Sequence, residues 1–261
     1  MAARGRPLRA RYGRHVSQRG ELWLPDGRAE RPVRGWPVVA VLHGGFWRSV
    51  YGKRLMHGVC RDLAGRGWAA WNLEYRRIGA FSGGGWPETF DDVRDGIDHL
   101  ASLADAHHLD LARLVTLGHS AGGHLALWAA ARPKLGPPHR VPVTGAVALA
   151  GIADLEEAAA GSRGRGPVGA LMGGAPDRWP IRYGLASPAR LLPLGVPQVL
   201  VHGDADETVP LAMSRRYAER ARAAGDDVTL VVVPGAGHRD LIRPGSEAWR
   251  ATIGPLEGLA P

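Results

Sequence analysis

The chain is 261 residues long, with one cysteine, 45% apolar residues and 33 Lys plus Arg against 25 Asp plus Glu, a formal charge of +8. This composition excludes a wholly disordered chain, and Cys60 alone excludes a disulfide scaffold. No run approaches the roughly 18–20 apolar residues of a membrane span, and the basic start lacks the apolar stretch of a secretory signal, so the expectation is a soluble cytoplasmic protein with no membrane partner.

Six Arg and no acid fall within residues 1–20, which leaves 27 basic and 25 acidic residues, a near-neutral +2, in residues 21–261. The first 20 residues are therefore set apart as a partly ordered Arg-rich extension, and residues 21–261 as the folded domain. The body lacks the extended basic face that phosphate backbones require, so no nucleic-acid partner is expected.

After residue 20, short apolar runs alternate with amphipathic segments, which predicts an α/β fold with a mostly parallel central sheet flanked by helices. Glu21–Pro25 reads as an early strand. Val38–Leu42 is β-branched and apolar throughout, as a strand buried on both faces should be, and runs into His43-Gly44-Gly45-Phe46-Trp47. Leu55, Val59 and Leu63 recur every four residues, so 53–64 is a helix stopped by Gly65 and Gly67. Trp68–Tyr75 is the next strand. Pro87 opens a helix whose face is marked by Val93, Ile97, Leu100 and Ala104, with Glu88, Asp91 and Asp92 at its dipole-favoured end. Leu114–Leu117 is a buried strand followed at once by Gly118-His119-Ser120-Ala121-Gly122 and an Ala-rich helix over 123–131. Strands follow at Val143–Leu149, Val196–Val201 and Val228–Val233, with helices at about 211–224 and after Ser246. Residues 155–195 break the alternation. Rich in Gly, Pro, Ala and Arg, they read as a small lid-like insertion beside the site or as a disordered surface loop.

Gly118–Gly122 fits G-x-S-x-G between a buried strand and a helix, the context its mechanics demand. A sharp turn there lifts the Ser120 hydroxyl above the sheet at a helix N-terminus, which favours the negative charge formed during attack. The bland alternative is a Gly-rich turn with an incidental serine. A serine hydroxyl needs a base, and the base needs an orienting acid. Among His124, His139, His202 and His238, only His238 lies in a flexible loop after the last strand, at the carboxyl edge where ligands bind. Of the carboxylates in His202–Pro210, Asp206 is chosen as the acid. Asp204 is the runner-up, more naturally a turn former that bonds backbone N–H groups, and Glu207 is a solvated neighbour. The oxyanion donors are expected from Ala121 and from Gly45 and Phe46, with Gly44 shaping the turn so that the backbone can approach the substrate.

Other residues carry plainer readings. Histidines 107 and 108 are neighbours on a helix and do not face one another, so no metal site is expected. Cys60 is core. Arg76 is expected to pair with a carboxylate of the 88–95 helix as structural support. Trp47, Trp86 and Met172 are candidate substrate-pocket residues, against the alternative that the aromatics merely cover the sheet edge.

Together, His43–Trp47, Gly118–Gly123, His202–Pro210 and Gly235–His238 are identified as the motifs of the α/β-hydrolase superfamily. Within it the chain resembles esterase/lipase-like enzymes with an H-G-G-x-W loop. Kynurenine formamidases (arylformamidases) and hormone-sensitive-lipase-like esterases belong to the same broad group. Glu74-Tyr75-Arg76 and Trp86-Pro87 resemble the formamidase-related branch, and so does the absence of a third consecutive glycine after His43. The resemblance runs from about Tyr12 to the C-terminus. It implies a triad of Ser120, Asp206 and His238, working without metal or organic cofactor. The implied substrate is a small or medium carboxylic ester, or alternatively an aryl formamide such as N-formylkynurenine. A monomer or homodimer is expected, and a non-catalytic binding protein on the same fold is the remote alternative.

Overall fold

The computed structural model describes residues 6–26, 32–136, 138–160 and 162–260. Residues 1–5 of the Arg-rich start, and Gly161 of the insertion, lie outside the described residues.

In chain order the elements are β1 (Leu8–Arg11), β2 (Arg19–Trp23), β3 (Trp36–Leu42), α1 (His57–Gly65), β4 (Ala69–Leu73), α2 (Glu88–Asp98), α3 (Leu100–His107), β5 (Leu109–His119) and α4 (Ala121–Ala130). Then come β6 (Gly145–Leu149), α5 (Leu155–Ala159), α6 (Gly166–Met172), α7 (Pro180–Ala186), β7 (Gln198–Gly203), α8 (Leu211–Ala223), β8 (Val228–Val233) and α9 (Glu247–Glu257). The eight strands form one sheet in the order β1-β2-β4-β3-β5-β6-β7-β8. β1 and β2 pair antiparallel at one edge, and β4 through β8 run parallel.

Alternation along the strands assigns the two cores. Val38, Ala40 and Leu42 face a large cluster with α2, α4 and α8, while Val39 and Val41 face a second with α1 and α9. Both faces are buried, which is why β3 reads as an unbroken apolar run. Cys60 is fully buried in the second cluster.

The sheet begins inside the Arg-rich start: Leu8–Arg11 pairs with Leu22–Arg19, so from Leu8 on that segment is an edge hairpin of the sheet. β5 is longer than the apolar run Leu114–Leu117. A register shift between Pro37 and Val38 lets Leu109 and Asp110 join the ladder, and the polar Asp110 and Arg113, held together at 2.7 Å, hide that strand from hydropathy. The helix expected after Pro87 is interrupted at His99, and its second part stops at His108 in a left-handed conformation (φ 55°), where the His108 carbonyl accepts from Trp36 N.

Residues 155–195 fold into α5, α6, α7 and a short 3-10 turn at Pro188–Arg190. Val168, Leu171, Met172, Tyr183 and Ala186 bury into the large core. Asp154 caps α5 by accepting from Glu156 N and Glu157 N, and Trp128 Nε1 donates to Leu185 O at 3.0 Å. These bonds and this burial fix the insertion onto α4. Among the described residues no helix is long and apolar enough to cross a membrane.

Candidate active site

Register brings the four candidate loops to one edge. Leu42 lies beside Gly118, Gly118 beside Ala148, and Gly203 beside Val233. The loops after β3, β5, β7 and β8 therefore leave the same carboxyl end of the sheet, and they carry His43–Trp47, Ser120, Asp206 and His238.

Ser120 sits between β5 and α4 with φ 57° and ψ −120°. This is a strained conformation for a residue with a side chain, and the surroundings must impose it. Ser120 N donates to Leu149 O at 2.8 Å, and Ser120 O accepts from His124 N at 3.1 Å. The turn closes only because Gly122 lacks a side chain: a Cβ there would stand 2.1 Å from the Leu42 carbonyl oxygen.

Asp206 and His238 meet as expected, with His238 Nδ1 donating to Asp206 Oδ2 at 2.7 Å. The Asp206 side chain is fully buried and that of His238 is 15% exposed, so the carboxylate is shielded while the imidazole keeps access to the surface. Asp206 Oδ1 accepts from Thr208 N and Val209 N at 2.8 and 2.9 Å. Burial opposes ionisation of Asp206, but hydrogen bonds from His202, His238 and the two backbone N–H groups outweigh it and hold the carboxyl well below the usual range. Asp204 instead accepts from Gly235 N at 2.6 Å and ties the β7 and β8 loops together, and Glu207 is exposed.

Two histidines support this pair without having been assigned a role in the sequence reading. His202 is fully buried. Its Nε2 donates to Val209 O at 2.9 Å and lies 3.4 Å from Asp206 Oδ2, while its Nδ1 accepts from the Ser214 hydroxyl at 2.8 Å. His119 Nε2 donates to the His238 carbonyl at 2.9 Å, and the two rings lie 4.4 Å apart at 47°. Burial, aided by the neighbouring His238, pushes the His119 pKa down to about 3, so its ring stays neutral. Only the register of β5 against the distant 234–238 loop brings His119 and His238 together, and no local spacing signals it.

The loop after β3 packs against Ser120. A Cβ on Gly44 would stand 2.7 Å from His119 O and 3.2 Å from Ser120 Cβ. Phe46 and Trp47 both have positive φ, 56° and 55°. Among the described residues no acceptor engages the backbone N–H of Gly45, Phe46 or Ala121. His43 anchors the loop: its Nε2 meets Glu74 Oε1 at 2.8 Å, and its ring stacks on Tyr75 at 4.4 Å. The Tyr75 hydroxyl donates to His43 O at 2.7 Å. Arg76 grips Asp92 of α2 through Nε and Nη2 at 2.9 and 2.7 Å, the structural pairing expected of it.

The expected pocket residues separate. Trp47 is buried, edge-on to His124 at 5.3 Å between ring centres. Trp86 is half-buried against Phe90 at 4.9 Å. Met172 is fully buried in the large core, away from solvent. Among the described residues no group of three or more His, Cys, Asp or Glu is arranged to hold a metal ion.

Comparison with known proteins agrees with this architecture. Residues 22–220 match the BD-FAE family. The chain belongs to the BD-FAE family. A probable isoprenylcysteine alpha-carbonyl methylesterase of Oryza sativa subsp. japonica is 27% identical over 88% of this chain, which spans only 57% of that protein's length. A monoacylglycerol lipase of Mycolicibacterium smegmatis is 29% identical over 86% of each chain. Among solved structures, esterase Est2 of Thermogutta terrifontis superposes with a TM-score of 0.77 at 24% identity, over 97% of this chain and 90% of its own. A truncated carbohydrate esterase from gut microbiota gives 0.82 at 19% identity, over 99% of each chain. The fold is that of an α/β-hydrolase of the esterase type.

Proposed function

We propose that this BD-FAE family member is a serine esterase that cleaves small or medium carboxylic esters through an acyl-enzyme, with Ser120 as nucleophile, His238 as base and Asp206 as orienting acid. The observation that carries the reading is the 2.7 Å Asp206–His238 bond, on the same sheet edge as a serine held at positive φ. His238 Nε2 takes the Ser120 proton as Oγ attacks the carbonyl carbon. The backbone N–H groups of Ala121, Gly45 and Phe46 receive the developing oxyanion. The same histidine then returns the proton to the leaving alcohol and activates the water that frees the acid. Trp47 and Trp86 are proposed to bound the acyl or aryl site, and a cytoplasmic setting fits the lone buried cysteine.

The relatives named above are a methylesterase and a monoacylglycerol lipase. Acyl length is therefore the first property to measure. Labelling by a fluorophosphonate tests the nucleophile: the wild type is expected to label and Ser120→Ala to remain blank, and equal labelling refutes the assignment. Nitrophenyl esters of increasing chain length, run beside N-formylkynurenine, test the substrate class. Faster turnover of the formamide than of any ester would replace the ester reading with an amidase one.

A further inference from the structure

The Arg-rich start has no part in the proposed chemistry, yet three of its arginines line a cleft. Two adjoining cavities of about 470 Å³ each share Arg19, Lys53 and Arg54. One extends to Tyr51 and Glu74, the other to Arg9, Arg11 and His57. Such volumes suit a small ligand rather than an extended chain.

The charges in this cleft do not balance. Five cations (Arg9, Arg11, Arg19, Lys53, Arg54) face two carboxylates, Glu21 and Glu74. Both carboxylates are already engaged. Glu21 is held by Lys53 Nζ at 2.6 Å, His57 Nε2 at 2.7 Å and, more loosely, Arg9 Nε at 3.9 Å, and Glu74 by His43 at 2.8 Å, Lys53 N at 3.2 Å and Arg77 Nη1 at 3.3 Å. Arg11 donates to the Arg14 and His15 carbonyls at 2.9 and 3.1 Å. Arg19 and Arg54 have no side-chain hydrogen bond or ion pair with any described residue. Lys53 is only 8% exposed, and among the described residues its ammonium makes a single hydrogen bond, to Glu21. An ammonium offers three N–H donors, and leaving buried donors unmet is costly, so a nearly buried ammonium on the wall of a cavity calls for an acceptor inside it.

We propose that this cleft is a binding site, separate from Ser120, for a small polyanion bearing phosphate or carboxylate groups. Arg19 and Arg54 would grip its outer oxygens and Lys53 its inner end. Planar guanidinium groups suit two-point contact with such oxygens. The arginines of β1 and β2 thus form a localised pocket on a body that is otherwise close to neutral.

Calorimetric titration of the full chain with inorganic pyrophosphate at low ionic strength tests this. Saturable binding is expected, equal in wild type and Ser120→Ala, and weakened by added salt. Arg19→Ala/Arg54→Ala removes two exposed side chains and is expected to lower affinity at least tenfold while leaving ester hydrolysis and the circular dichroism spectrum unchanged. Arg215→Ala/Arg250→Ala, equal in charge and far along the chain, is expected to bind as wild type. Absence of saturable binding, equal weakening by both double variants, loss of binding in Ser120→Ala, or binding of an oligonucleotide but not of pyrophosphate would each overturn the proposal.

Discussion

Asp206→Asn separates the proposed acid from its neighbours most sharply, because the structure leaves the new amide no good orientation. Asp206 presents one oxygen to two backbone N–H donors, at 2.8 and 2.9 Å, and the other to His238 Nδ1 at 2.7 Å. Asparagine has only one oxygen. If that oxygen stays on Thr208 N and Val209 N, the NH₂ group faces His238 Nδ1 and donates to it. The ring proton then moves to Nε2, the atom that must accept the proton of Ser120. If the amide flips, the useful tautomer returns but the NH₂ group faces two donors. Forfeiting these two bonds, one exposed and one part-buried, costs about 0.5–1.5 kcal/mol each, so reaching the working tautomer costs roughly 1–3 kcal/mol, and each 1.4 kcal/mol is about a factor of ten in rate. The imidazolium also loses its negative neighbour. We expect kcat to fall about a thousandfold or more, in line with the loss that acid removal causes in other serine triads. The assay is nitrophenyl ester hydrolysis by purified variants whose cooperative thermal unfolding shows them folded. Asp204→Asn is the control, since among the described residues its carboxylate holds only Gly235 N and lies outside the proposed proton path. If folded Asp206→Asn keeps more than about a tenth of wild-type kcat, or if Asp204→Asn is the more damaging change, the tautomer argument fails.

Further outcomes follow from the same geometry. Gly122→Ala places a methyl 2.1 Å from the Leu42 carbonyl oxygen, a backbone atom that cannot swing aside, so the turn around Ser120 must open. The variant is expected to lose several kcal/mol of stability, on the order of 3 or more, and all esterase activity, and a wild-type melting temperature would refute this. His119→Leu removes the donor to the His238 carbonyl and is expected to lower kcat about tenfold with KM unchanged. His119→Gln, which keeps a donor, should recover part of the loss, whereas equal loss in both variants would mean that His119 only fills space. Stability should depend on pH in two steps. His119 and His124, pushed by burial down to about 3 and about 4, are neutral when folded but take up protons near pH 6.5 when unfolded. Their contribution is full above about 6.5 and is lost as pH falls toward 4, by at most about 1.4 kcal/mol per pH unit for each histidine. The depressed Asp206 and Glu74 carboxylates contribute above the ordinary carboxylate range, about 4, and that contribution is lost only on further acidification. A melting temperature unchanged between pH 7 and pH 5 would refute the first step.

The parts of this site that were legible in sequence are those whose cause is local. Gly122 must be small because its own turn brings it against Leu42, and a G-x-S-x-G flanked by a buried strand and an Ala-rich helix states that constraint within a few residues. Arg76 could be matched to the acidic helix because Glu88, Asp91 and Asp92 crowd its first turn. The Asp204–Asp206 choice was also local in origin. One carboxylate closes a turn between loops, and the other is free to reach the base.

What the sequence hid depends on register between distant strands. His119 and His238 are 119 residues apart, and they touch only because β5 and the loop after β8 end at the same height. His202 looked like the end of a buried strand, and it is one. Its service to Asp206 comes from the chain folding back over seven residues so that Val209 O and Ser214 can fix its ring. The Arg-rich start misled for a related reason. β1 alternates apolar and charged residues over only four positions, Leu8-Arg9-Ala10-Arg11, too short a run to stand out beside the other arginines, and its order comes from pairing with β2 at the sheet edge. An edge strand needs only one partner, and charged side chains there discourage further strands from adding. The same charges, turned to one side of the hairpin, meet Lys53 and Arg54 and make the cleft. Removing β1 should therefore uncover the outer edge of β2 and take Arg9 and Arg11 from the cleft in a single step. Deletion of residues 1–11 is accordingly expected both to promote self-association, read by light scattering, and to weaken pyrophosphate binding. A deletion that weakened binding but stayed monodisperse would show that β1 guards no edge.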